Sequence, residues 1–195
     1  MSIAIDMKGK AVLVTGAASG LGRATAVKLA EAGASVCIAD VNADGLAETA
    51  ALLSGADVLV HPADLSDPSA CKGAVAAAVA QFGRLDALCN VAGLIYLANS
   101  HEMPEDQWHR TIAVNLSAAF MLSQAAIPHL LEVNGAIVNV ASSAAFIGEA
   151  YAAAYCASKW GILGMTKAMA MEYAKKPIRI NAVAPGGMVT NIAAN

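Results

Sequence analysis

The sequence holds 195 residues, long enough for one domain with a sizeable core and too short to expect two. Apolar residues make up 57% and charged residues 14%, and the net charge is −3 without a basic cluster, which argues against nucleic acid as a main partner. The apolar residues lie in short runs, none near the ~18 that suggest a bilayer span. The opening MSIAIDMKGK has no signal core, so a cytoplasmic location with no membrane attachment is expected.

In chain order, strands are predicted over 11–16, 35–40, 57–62, 85–90, 135–140 and 178–183, with helices between them over about 20–32, 43–54, 67–82, 104–132 and 152–175. Each strand run is continuously apolar, as strands buried on both faces of a parallel sheet require. Alternation of this kind implies an α/β fold: an open, doubly wound sheet of six parallel strands with helices on both faces. No repeat or linker divides residues 1–195, which are read as a single domain. The helices over 104–132 and 152–175 are apolar on nearly every side, so each needs a second partner besides the sheet. A homodimer or homotetramer through these two helices is expected. Cys37, Cys71, Cys89 and Cys156 form no C-x-x-C pair and read as reduced, buried thiols. His61, His101, His109 and His129 show no metal-ligand spacing, and no metal is assigned.

The first strand runs directly into TGAASGLG. Gly16, Gly20 and Gly22 stand at a strand-to-helix junction, spaced G-x3-G-x-G. Glycines there allow a tight turn and let the backbone approach a pyrophosphate, while the helix start offers free N–H groups and partial positive charge. Gly16, Ser19, Gly20, Leu21 and Gly22 are therefore the candidate phosphate cradle. The second strand ends at Asp40, placed to accept hydrogen bonds from an adenosine ribose and to repel a 2′-phosphate. No arginine or lysine follows it in VNADG. NAD, rather than NADP, is the expected cofactor.

TGAASGLG, NVAG at 90–93, Asn115, VASS at 140–143, YCASK at 155–159 and PGGMVT at 185–190 occur in one order along the chain. In that order and spacing the sequence resembles the short-chain dehydrogenase/reductase family, and not its extended relatives, whose glycine spacing differs. The resemblance spans the whole chain and implies a Rossmann fold with a seventh strand that this chain lacks. It further implies that Asp64 and Leu65 contact the adenine ring and that Asn90, Ala92 and Gly93 line the cofactor cleft. Pro185, Gly186, Met188 and Thr190 would hold the nicotinamide end. Ser142, thirteen residues before Tyr155, would be the catalytic serine and polarise the substrate oxygen. Lys159 would also bind the nicotinamide ribose, and Asn115 would hold a water linking Lys159 to solvent. Ser142, Tyr151 and Tyr155 are the expected substrate contacts.

Tyr155 and Lys159, one helical turn apart, project from the same face. A phenol near its ordinary pKa of ~10 is a poor base at neutral pH. An ammonium ~4 Å away, at an effective dielectric of ~20, supplies roughly 4 kcal/mol, or about three pKa units. The pair is thus expected to bring the phenol into its working range. The whole reads as reversible NAD-dependent oxidation of a small secondary alcohol to a ketone, with Asn115, Ser142, Tyr155 and Lys159 as the catalytic set. Two rivals stand beside it: an NAD-binding protein without turnover, and a reductase of carrier-linked 3-oxoacyl substrates. Family members usually continue for several dozen residues past TNIAAN, so a truncated C-terminus without a substrate lid is expected.

Overall fold

Among the described residues, short runs of Val, Ile, Leu, Ala and Cys form six strands: β1 (Ala11–Thr15), β2 (Ser35–Asp40), β3 (Val58–Pro62), β4 (Ala87–Asn90), β5 (Ala136–Val140) and β6 (Arg179–Val183). A computed structural model describes residues 5–188. All strand pairings are parallel, in the order β3-β2-β1-β4-β5-β6. Successive strands move outward from β1 first one way, then the other. The order reverses between β1 and β4, where a doubly wound sheet opens a crevice at its carboxyl edge.

The intervening segments are the helices α1 (Gly20–Glu31), α2 (Ala43–Leu52), α3 (Pro68–Phe82), α4 (Glu105–Ile112), α5 (Ala118–Glu132) and α6 (Ala153–Glu172). Local chemistry sets their ends. Asn42 caps α2 by accepting from the Gly45 N–H at 2.9 Å. Asp67 and Pro68 start α3, and Gly83 ends it in the left-handed region at φ +71°. On one sheet face Val12, Val14, Val36 and Ile38 pack with Leu46 and Ala26 of α2 and α1. On the other, Leu13, Cys37, Leu88 and Ile137 meet Val75 of α3, Leu122 of α5 and Met169 of α6.

Two expectations need correction. Burial on both faces holds for β1 and the middle of β2, but β3 is nowhere fully buried and β6 buries Ile180 between exposed neighbours. They are the sheet's outer strands among the described residues and have fewer neighbours to cover them. The helix read over 104–132 is also interrupted: Ala113–Ser117 is a π segment in which the Ala118 N–H donates to Ala113 O, between α4 and α5. The whole Glu105–Glu132 run is long and apolar enough to cross a membrane by composition. Its α5 half instead buries Ala118, Leu122, Ala126 and Leu130 in the core. Close packing brings α6 against the π segment, where a Cβ on Gly161 would lie 2.7 Å from a Leu116 side-chain methyl.

Candidate active site

The crevice at the strand ends is a cleft of about 580 Å³ that runs past the glycine loop, the ends of β2 and β3, the segment after β4, and the start of α6. Its floor is shaped by two glycines. Gly16 has φ +66°, and a Cβ there would sit 2.7 Å from the Ala92 backbone. A Cβ on Gly22 would fall 2.0 Å from the Gly16 carbonyl oxygen. Both obstacles are main chain, so neither position tolerates a side chain. Ser19 stands before α1 in extended conformation and its side chain caps nothing, which leaves the first-turn N–H groups to the cleft. Ser19, Gly20 and Leu21 line it with Gly16 and Gly22.

Asp40 closes β2 beside this loop. Its Oδ2 accepts from the Ala18 N–H at 3.1 Å and its Oδ1 from the Asn42 N–H at 3.0 Å. Asp64 and Leu65 follow β3 and also line the cleft. Arg110 beside Asp64 holds its carboxyl low, at about 2. Ala92 and Gly93 take the places expected of them on the wall. Pro185, Gly186 and Met188 also line the cleft, with Pro185 O accepting from the Ser143 N–H at 2.9 Å. Thr190 lies outside the described residues.

At the other end stand Ser142, Tyr155 and Lys159. The strand β5 delivers Ser142, and α6 carries the other two, both buried. Burial raises the Tyr155 phenol above its ordinary 10.0, while the Ser142 hydroxyl pulls it back and the Glu149 charge pushes it further up. Burial depresses Lys159 from 10.5 to about 8. Its Nζ lies 5.6 Å from the Tyr155 ring centroid and donates to Val140 O at 2.8 Å. Against the expected lowering, the ammonium is turned to a carbonyl here and burial holds the phenol above its ordinary value.

Three further residues sit differently from their readings. Asn90 does not line the cleft. Its Nδ2 donates to Asn139 Oδ1 at 2.8 Å and to Ser123 Oγ at 3.2 Å, beneath the site, and its Oδ1 is buried without a partner among the described residues. Asn139 continues the chain to Thr166 of α6. Tyr151 is exposed, holds a left-handed backbone at φ +67° and lies outside the cleft lining. Asn115 spends both N–H groups on Leu94 O and Ser158 Oγ, and its Oδ1 accepts from the Leu94 N–H. Only one Oδ1 lone pair is left for a water. A Cβ on Gly93 would be 3.5 Å from both that oxygen and Lys159 Nζ, so the glycine leaves space beside the two.

Residues 10–195 match the family described as short chain dehydrogenase. The chain belongs to that family. Among its short-chain dehydrogenase relatives is D-threitol dehydrogenase of Mycolicibacterium smegmatis, 40% identical over 98% of this chain and 76% of the relative. Cyclohexanol dehydrogenase of Acinetobacter sp. strain SE19 is 41% identical over 95% of this chain and 75% of the relative. A short-chain type dehydrogenase/reductase from Mycobacterium marinum superposes with a TM-score of 0.91 at 31% identity, covering 97% of this chain and 77% of its own. The short-chain dehydrogenase cleft here also includes Val41 beside Asp40, and Arg110 and Val114, two residues with no mark in the sequence. Val114 directly precedes Asn115, and Arg110 lies four residues earlier, on the same helical face.

Proposed function

We propose that this short-chain dehydrogenase interconverts a small secondary alcohol and a ketone with NAD, using Tyr155 as general acid/base. The observation that carries the reading is one continuous cleft joining the side-chain-free glycine loop to the Ser142, Tyr155 and Lys159 cluster. The residues present fit a dinucleotide. Gly16 and Gly22 admit main chain at contact distance, α1 offers its free N–H groups to phosphate, and Asp40 keeps lone pairs for ribose hydroxyls while opposing a 2′-phosphate. Bound there, NAD would supply the carbon that takes or gives hydride.

The chain's own part is to hold the substrate oxygen and move one proton. Ser142 Oγ, already accepting from the Ala144 N–H at 3.2 Å, keeps its proton to donate to that oxygen. The buried, protonated Tyr155 hydroxyl is set to give its proton to a ketone as it is reduced. In the oxidation direction the phenol must first be lowered, and Lys159 supplies the nearby positive charge only below about pH 8. Relatives named for D-threitol and cyclohexanol are in keeping with an alcohol substrate. Trp108, Phe120, Trp160 and Met171 are exposed on α4, α5 and α6, which supports self-association into a homodimer or homotetramer through these helices. The unpaired thiols suit a cytoplasmic setting.

Tyr155→Phe tests the reading. NAD binding by calorimetry should be unchanged, while turnover of a responsive secondary alcohol should fall at least about a hundredfold. Retention of more than a few per cent of activity would place the proton elsewhere.

A further inference from the structure

Arg23 does not line the cleft, yet it reaches from α1 to the loop that does. Its Nη2 donates to Ala18 O and, at 3.2 Å, to Gly45 O, and pairs with the exposed Glu48 at 2.7 Å. Its Nε donates to Oγ1 of the fully buried Thr49 at 2.9 Å. That hydroxyl donates in turn to Ala17 O at 2.8 Å, with Gly45 O also in reach at 3.0 Å. The two loop peptides are therefore held differently. The Ala17–Ala18 unit is fastened at both ends, its carbonyl by Thr49 and its N–H by Asp40. The Ala18–Ser19 unit is fastened at one end. Among the described residues Arg23 is the protein partner of its carbonyl, and its N–H meets no protein acceptor. In a trans peptide the two groups point in opposite directions. The carbonyl is drawn toward α2, where a Cβ on Gly45 would lie 2.9 Å from it, so the Ser19 N–H faces the cleft that Ser19 lines.

We propose that Arg23 is a positioning residue for phosphate recognition: its hold on the Ala18 carbonyl keeps the Ser19 N–H turned into the cleft, where a pyrophosphate oxygen would accept from it. The inference rests on the NAD reading above. A peptide plane can turn over about its two flanking torsions, the soft ones of the backbone, while its neighbours stay in place. Asp40 and Thr49 act on the preceding plane and do not oppose that turn. Released from Arg23, the Ala18–Ser19 plane can present its oxygen to the cleft, and an anion that had gained a donor meets an acceptor instead. The effect belongs to the phosphates, since the adenosine end would rest against Asp40, Asp64 and Leu65.

The test is calorimetry with NAD directly and with adenosine, which has no phosphates, by displacement. Arg23→Met keeps the aliphatic stem and should weaken NAD by about tenfold, as expected for a hydrogen bond to a charged group, while adenosine stays within about twofold. Arg23→Lys, which can still donate to the Ala18 carbonyl, should recover part of the loss. Glu48→Gln removes the arginine's exposed counter-charge without touching its bond to Ala18, and should leave NAD within about twofold. Severalfold tightening in Glu48→Gln would show that the charge of Arg23 acts on the ligand rather than its placement of the peptide, and would overturn the proposal. Equal losses for NAD and adenosine in Arg23→Met would reduce Arg23 to a general structural role and overturn it as well. Unchanged NAD affinity in Arg23→Met would overturn it while leaving the NAD reading intact. Binding of neither ligand by the unmodified protein would remove both.

Discussion

At Asp40 a single carboxylate holds the glycine loop through Ala18 and, in the function proposed above, offers its remaining lone pairs to a ribose. Replacing it should therefore change both specificity and stability. Val41 is 63% exposed, so an arginine there has room to reach a 2′-phosphate. Asp40→Ser with Val41→Arg should move the ratio of NAD to NADP affinity by at least about a hundredfold toward NADP, and cost about 1 kcal/mol of stability for the lost acceptor. Calorimetry with both cofactors and urea titration would check the two effects separately. Residues of this kind were legible in the sequence because the chemistry demands their type: a glycine where main chain meets main chain, an acid at the end of the second strand. Asn90 was not, because β4 is apolar on both sides of it and the run does not disclose which face Asn90 takes. Arg110 was invisible for a different reason. Its partner lies 46 residues away, and nothing local distinguishes it from any other arginine near a helix end.

The helical elements were found by their apolar spacing, with ends within a few residues, yet the interruption at Ala113–Ser117 carries no compositional mark. Its cause is tertiary. Residues 91–99 have no regular structure, and the partly buried Leu94 within them needs partners for its N–H and C=O. Asn115 supplies both, acting as a substitute strand edge, and also reaches Ser158 on α6. The i→i+5 pairing accompanies that placement, as π turns often do at functional sites. Asn115→Ala should cost roughly 3 kcal/mol in urea denaturation, since it strands a buried donor and acceptor together. Asn115→Asp, which keeps the acceptor for the Leu94 N–H, should cost less than the alanine. Equal stability of Asn115→Ala and the unmodified chain would mean the clamp contributes nothing.

Across the whole molecule, buried titratable groups make stability depend on alkaline pH in two opposing ways. Burial raises Cys37 from 9.0 to about 12, and Cys71 and Cys89 to about 11. For these thiols the folded state holds the proton more tightly, so their contribution is complete below pH 9 and is lost as pH climbs toward the folded values. Lys159 runs the other way: the unfolded chain holds its proton more tightly, and the penalty present below about pH 8 is relieved between pH 8 and 10.5. Each group contributes about 1.4 kcal/mol per pH unit within its window. Stability should therefore rise slightly from pH 8 to 9 and fall beyond it, when three thiols oppose one amine. Urea midpoints at pH 8, 9 and 10 would show the turn. A rise continuing through pH 10 would contradict it, and Cys37→Ala should make the fall shallower.

The glycines also determine which genetic lesions can be repaired. At Gly16 and Gly22 the obstruction to a methyl group is another stretch of main chain, which no second-site codon change can trim. At Gly161 the obstruction is the end of the Leu116 side chain, which a smaller residue at 116 removes. A library selected for revertants should thus yield intragenic suppressors of Gly161→Ala at position 116, while Gly22→Ala returns only by true reversion.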